Sequence, residues 1–324
     1  MSTSVNPPAT DTPEDTEIEL SAHGFLLRVA CLGASLRGLW KLADTDGEPI
    51  DIVTGYSGAA GKVGGQGDVL IPFPGRVAAG RYTFDGQQQQ LHQNDKDGPN
   101  AIHGYLRTKT WHIAERSNTG ITFASAMDAS EFSGYPYALQ ATISYALTVN
   151  GLSVIYSILN SGNSVAPVAI GFHPYFRVGS GLIDTWTLEL PMQDMLEMVN
   201  LIPTGKLVSV ESTEFNFKVP RKIDQTRFNS CFLNPLRNGD GLWRINLSNT
   251  KPDGSGSRLS VWADQSLNFV VLYSGDPLPE THRRRSLAIE PMSCGADGFN
   301  HPSWGLVSLL PGETTSGNWG VDFS

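Results

Sequence analysis

Between residues 140 and 149, in QATISYALTV, the apolar positions Ile143, Tyr145, Leu147 and Val149 alternate with Thr142, Ser144, Ala146 and Thr148. A period of two places one set on a single face of an extended chain, so the segment predicts a half-buried strand. LSVIYSIL, beginning at residue 152, is equally rich in β-branched and aromatic residues. Only Asn150 and Gly151 separate the two runs. Asn-Gly is the pair that a type I′ hairpin prefers, because both central residues need positive φ. An antiparallel hairpin with that pair at its tip is the expectation.

GITFASA, TWTLEL, RLSVWAD and SLNFVVLYS are further strand candidates, each bounded by Gly, Pro, Asn or Asp. Gln87–Gln90 reads as a loop or the solvated edge of a strand. Helical spacing sustained over three turns is hard to find. The pattern predicts an all-β chain, a large antiparallel β-sandwich over residues 18–324 that stays one unit. Residues 1–17, polar, acidic and Pro-containing, predict a flexible tail, because such a composition buries too little to offset the entropy of ordering.

Composition narrows the partners more than the fold. Only 17% of the 324 residues are charged and the net charge is -9. A negative chain gains nothing from long-range attraction to nucleic acid or anionic lipid, so neither is an expected partner. The acidic first twenty residues are unlike a signal peptide, and no apolar run reaches the ~18 residues of a membrane span. Cys31, Cys231 and Cys294 are widely separated, which supports neither a disulfide framework nor a zinc site. A cytoplasmic protein acting on a neutral small molecule is the expectation.

The common catalytic motifs are missing. GKVGGQGD lacks the Lys and hydroxyl arrangement that meets nucleotide phosphates, and reads as a loop. There is no GxSxG elbow and no HExxH, and His92, His103 and His112 lack ligand spacing. Asn246-Leu-Ser248 is an isolated glycosylation sequon.

Four polar residues stand out against apolar or turn-rich surroundings. Arg76 follows Pro74-Gly75 in PFPGRVAAGRY, where a guanidinium can project from a turn. His103 lies in NAIHG, between an apolar residue and Gly104. His173 sits in AIGFHPYF beside Phe172, Tyr175 and Phe176, rings suited to stacking on a sugar, although core packing explains them nearly as well. Glu290 ends an apolar run in SLAIEPMSCG, where a carboxylate is costly unless paired, hydrogen-bonded or functional.

In this order, IPFPGRVAAGRYTFDG, NAIHG followed by Trp111, GFHPYF, IPTGK, IEPMSCGADGFN and LLPGETTSGNWGVDF resemble the aldose 1-epimerase (mutarotase) family from about Val69 onward. The resemblance implies a mutarotase-type β-sandwich that interconverts the α and β anomers of a free aldose without cofactor or metal. It implies Glu290 as the base at the anomeric hydroxyl and His173 as the acid at the ring oxygen. His103 is implied as a second polarising histidine, and Arg76 as a holder of sugar hydroxyls. Tyr175 joins the substrate-binding set. Acid and base are expected to face each other across a pyranose-sized hollow lined by rings.

One position departs from the family pattern. In RFNSCF, Asn229 stands where members usually carry Asp; an amide still binds hydroxyls but has lost the charge. Asp224 substitutes only if the strand register differs. Two other readings stay open at this level. One is an epimerase of phosphorylated hexoses using Arg283, Arg284 and Arg285, although a solvated run explains those arginines as well. The other is a sugar-binding or regulatory module without turnover.

Overall fold

The computed structural model describes residues 15–43, 47–250 and 256–324, the side chain of Thr250 excepted. Two large antiparallel sheets carry most of these residues. The first has twelve strands. Its main path starts at Glu17–Ala22, Phe25–Ala30, Leu36–Lys41 and Ile50–Val53, crosses to Tyr175–Phe176, Leu287–Met292, Phe269–Tyr273 and Asn229–Pro235, and ends at Met192–Val199 and Ile202–Ser209. The second has nine strands, with Leu139–Leu147, Gly151–Asn160, Thr314–Phe323, Gly256–Ala263 and Trp243–Thr250 at its centre.

Alternation decides which side chains meet between the sheets. Leu27, Leu39, Val270, Leu272, Leu287 and Ile289 from the first sheet, and Phe123, Ile143, Tyr145, Val154, Tyr156, Val261 and Val321 from the second, join one buried apolar cluster. Trp319 of the second sheet packs against Phe172 at 5.3 Å and Phe176 at 6.4 Å between ring centroids. Large rings buried in this way contribute roughly 1.5–3 kcal/mol each. The described structure is the expected all-β antiparallel sandwich, and each strand candidate read from alternation lies on a strand.

The hairpin forms, with Leu147 opposite Leu152, but its tip is shifted by one residue. The turn runs from Thr148 to Gly151, with Val149 and Asn150 in the middle and neither at positive φ. Thr148 explains the shift, because its hydroxyl accepts the N–H groups of Asn150 and Gly151. Val149, expected on the buried face, is 72% exposed. A two-residue turn with both residues at positive φ occurs instead at Asp85 (47°) and Gly86 (71°), joining Arg81–Phe84 to Gln87–Gln90.

Of the acidic stretch expected as a tail, residues 1–14 lie outside the described residues. Asp15 and Glu17 are tied to the first sheet through Arg37. Glu17 opens its first strand, and Arg37, fully buried, donates to Glu17 (2.8 Å), Asp15 (2.5 Å) and the Ser35 hydroxyl (2.9 Å). Cys31, Cys231 and Cys294 are free and buried. Among the described residues no helix is long and apolar enough to cross a membrane.

Candidate active site

The outer face of the twelve-stranded sheet carries the polar candidates. On Leu287–Met292, Leu287 and Ile289 point into the core between the sheets, so Ala288, Glu290 and Met292 point the other way. Tyr175 pairs with Ala288 and Gly171 with Met292, so the register carries His173 opposite Glu290. Glu290 lies opposite Val271, and Val271 opposite Cys231. The neighbouring row runs Tyr175, Ala288, Tyr273, Asn229. Pairing thus assembles residues more than a hundred positions apart on one surface.

His173 Nε2 stands 3.4 Å from Glu290 Oε1, and both side chains are buried. The expected hollow between acid and base does not exist: the two groups sit side by side, and no pyranose fits between them. Tyr175 stacks on the His173 imidazole, with centroids 5.2 Å apart and planes 6° from parallel. Its ring supports the histidine from one side. His103 approaches edge-on at 5.5 Å.

His103 is fixed through Gly75. Its main-chain N–H donates to Gly75 O (2.9 Å) and its Nδ1 accepts the Gly75 N–H (3.2 Å). An Nδ1 that accepts leaves the neutral ring's proton on Nε2, so His103 presents a donor. It sits at φ 65°, an uncommon value for a non-glycine residue and one concentrated at functional sites. Arg76, on the strand beside it, donates through Nε to Asp95 (2.7 Å) and through Nη2 to Asp97 (3.3 Å). Its main-chain carbonyl accepts the Asp297 N–H, so the ADG turn that follows Glu290 holds the arginine strand.

Burial sets the protonation of the site. Desolvation pushes Glu290 well above the ordinary carboxylate range, opposed in part by the charge of Arg76. It drives His173 down to about 3, with Lys62 and Arg107 adding to the fall. His103 is lowered by the surrounding protein first, and then by His173, Arg107, Arg76 and Lys62. Burial thus disfavours the charged form of both Glu290 and His173, which favours a state in which the pair holds one transferable proton.

Sequence reasoning passed over the loop that covers this pair. GKVGGQGD is indeed a loop, but it packs on His173: a Cβ at Gly65 would lie 2.4 Å from His173 Cδ2 and 2.8 Å from Nε2. The Gly67 N–H donates to His173 O, and the His173 N–H donates to Asp68 O, both at 3.0 Å. The buried Asp68 carboxylate binds Lys62 Nζ and, at 3.1 Å, Arg107 Nη1. Lys62, Asp68 and Arg107 carried no motif; the only signal was a conspicuous glycine density.

The remaining candidates divide. Tyr273, also overlooked, is half-buried and meets Tyr175 at 6.4 Å between Asn229 and the pair. Asn229 is exposed on the same face, one row from Glu290 and not in contact with it. Asp224 lies away from this row, its carbonyl accepting Arg284 Nη2 (2.6 Å). Arg284 contradicts the solvated-run reading, for it is buried and spends its guanidinium on Asp184 (2.7 Å), Asp276 (3.3 Å) and the Thr226 and Asp224 carbonyls. It has nothing left for a phosphate. Arg283 and Arg285 are exposed.

A cavity of about 610 Å³ lies on the other sheet. It is no part of this constellation.

Comparison with known proteins agrees with the fold. The aldose 1-epimerase family model matches residues 16–321. The chain is 33% identical over 235 residues to the uncharacterized protein YihR of Escherichia coli (strain K12), covering 72% of this chain and 71% of that one. It is 27% identical over 319 residues to galactose mutarotase of Bos taurus, covering 92% and 90%. A GalM/aldose epimerase homologue from C. elegans superposes with a TM-score of 0.83 at 20% identity, covering 96% of this chain and 99% of that one. Galactose 1-epimerase from Lactobacillus acidophilus NCFM gives 0.78 at 20% identity, covering 99% and 97%. With a family match over nearly its whole length, the chain belongs to the aldose 1-epimerase family.

Proposed function

We propose that the protein is a cofactor-independent mutarotase that equilibrates the anomers of a free aldose through the Glu290–His173 pair. The observation that carries this reading is the 3.4 Å approach of a buried carboxyl and a buried imidazole on one sheet face.

Ring opening breaks the bond between the anomeric carbon and the ring oxygen. The anomeric hydroxyl must lose a proton and the ring oxygen must gain one. Both oxygens are bonded to the same carbon, so an acid and a base that work on them must be neighbours. Side-by-side groups meet that requirement better than groups on opposite sides of the sugar. A pyranose lying over the pair presents one oxygen to each.

The pair holds one proton, and the productive arrangement places it on His173 with Glu290 ionised. Arg76 favours that arrangement through its charge. Glu290 then takes the hydroxyl proton as His173 protonates the ring oxygen, and the open chain rotates about its first carbon–carbon bond before closing. On closure the two groups exchange roles, and the shared proton returns to its starting place. His103, with its Nε2–H, polarises the ring oxygen, while Arg76, Tyr273 and Asn229 line the face that receives the hydroxyls. Positioned proton transfer of this kind is worth ~10²–10⁴-fold per group.

Polarimetry on freshly dissolved α-glucose and α-galactose tests the reading directly. The protein accelerates the change in rotation, and Glu290→Gln removes the acceleration while sugar binding survives. A spontaneous rate left unchanged by the intact protein would reject it in favour of a binding module.

A further inference from the structure

We propose that the outer face of the nine-stranded sheet carries a second binding site, for a neutral saccharide, in the 610 Å³ cavity bordered by Glu189, Asn246, Ser260, Asp322, Arg258 and Phe323. The inference is independent of the proposed chemistry, because the cavity belongs to the sheet opposite His173 and Glu290.

Strand pairing builds this site as it builds the other. Glu189 pairs with Asn246, Asn246 with Ser260, and Ser260 with Asp322, so four polar side chains lie in one row across four strands. Leu247, Leu259 and Val321, the neighbours in sequence, are buried in the core, which turns the polar row outward. The cavity volume falls within the ~300–1,000 Å³ of small-molecule sites.

Three details separate this row from an ordinary solvated sheet face. Asn246 donates to Glu189 Oε2 at 2.7 Å, which fixes its amide with the carbonyl oxygen left to accept. Trp262 hydrogen-bonds the Asp322 carboxylate and holds that group in place. Between Asn246 and Asp322, the Ser260 hydroxyl is buried and has no hydrogen-bond partner, a deficit a ligand hydroxyl would fill. The isolated sequon at Asn246 is thus part of a cavity wall.

The chemistry of the lining selects the ligand. Two carboxylates against the single guanidinium of Arg258 disfavour phosphates and other anions. Adjacent carboxylate, amide and hydroxyl groups supply the paired donors and acceptors that vicinal diols require.

The test follows the Asn246 side-chain amide and Trp262 indole NMR signals during titration with glucose, maltose and glucose 6-phosphate. Both signals are expected to shift saturably with the neutral sugars in the millimolar range, and less with the phosphate. Ser260→Trp, which fills the cavity, should abolish the shifts, and His173→Ala should leave them intact. Should Ser260→Trp fail to fold, Asn246→Ala serves instead, with an expected several-fold weakening. The proposal is overturned if neither neutral sugar shifts these signals saturably. It is equally overturned if His173→Ala abolishes the shifts while the cavity variants keep them.

Discussion

The carbonyl of Asp68 accepts the His173 N–H at 3.0 Å, so the glycine-rich loop and the strand break that presents the imidazole form one unit. The Asp68 carboxylate extends that unit to Lys62 and to Arg107, four residues beyond His103. Removing the charge at Asp68 leaves two cations without their common anion. Loss of one partner from a buried pair costs about 3–5 kcal/mol. Asp68→Asn is therefore expected to lower the denaturation midpoint sharply, and at temperatures where it remains folded to reduce kcat more than it raises KM. Urea unfolding and initial-rate polarimetry on the same preparation check both effects.

Gly65 offers a narrower probe. A methyl group there would occupy space that the His173 ring already holds. Gly65→Ala should displace the imidazole and cut kcat by at least about tenfold, equivalent to ~1.4 kcal/mol of the barrier. Gly61→Ala, in the same loop, where the added atom makes only ordinary contact with Tyr56 Cβ at 3.5 Å, is the control. Equal loss in both variants would mean that loop stiffness, and not crowding of His173, is responsible.

A pair that shares one proton gives a bell-shaped dependence of kcat/KM on pH. The acid limb falls when the pair takes up a second proton. With His173 depressed to about 3, that limb should lie well below the ordinary histidine range. The alkaline limb falls when the shared proton is lost, above the ordinary carboxylate range because burial raises Glu290.

The same shifts act on stability. The folded pKa of Glu290 is raised, so its contribution is fully present below the unfolded value and is lost as pH rises through the folded one. Glu290→Gln cannot ionise and should gain stability relative to the parent by up to ~1.4 kcal/mol per pH unit as pH rises from the ordinary carboxylate range to the raised folded value. Thermal melts of the two proteins from the ordinary carboxylate range upward show whether their difference grows.

Asn229 is exposed beside Tyr273, one row from the proton pair. Under the proposed function, a sugar hydroxyl bound there would be held equally in ground and transition states. Asn229→Ala should raise KM by up to about tenfold with kcat unchanged, the worth of one neutral hydrogen bond. A fall in kcat alone would place this side chain in the chemistry.

The strands were legible because a period of two survives any detail of packing; from Gly120–Met127 to Phe269–Tyr273 the alternation marks which face is buried. Turn geometry was less so. Thr148 moved the tip expected at Asn150-Gly151, while Asp85-Gly86 went unnoticed because Gln87–Gln90 has no alternation of its own. His103, His173 and Glu290 were singled out by unusual surroundings, but only resemblance gave them roles. Asp68 and Arg107 lie 39 positions apart and meet only through the fold, which no local pattern records. Arg284 shows the same limit, since its acceptors come from three separate stretches.

Phe172 and Phe176, on either side of the histidine, both rest against Trp319 of the opposite sheet. The placement of His173 beside Glu290 is therefore underwritten by an indole on the far side of the core. Reshaping only the outer face of the first sheet leaves that remote anchor out of account, and it sets how rigidly His173 is carried.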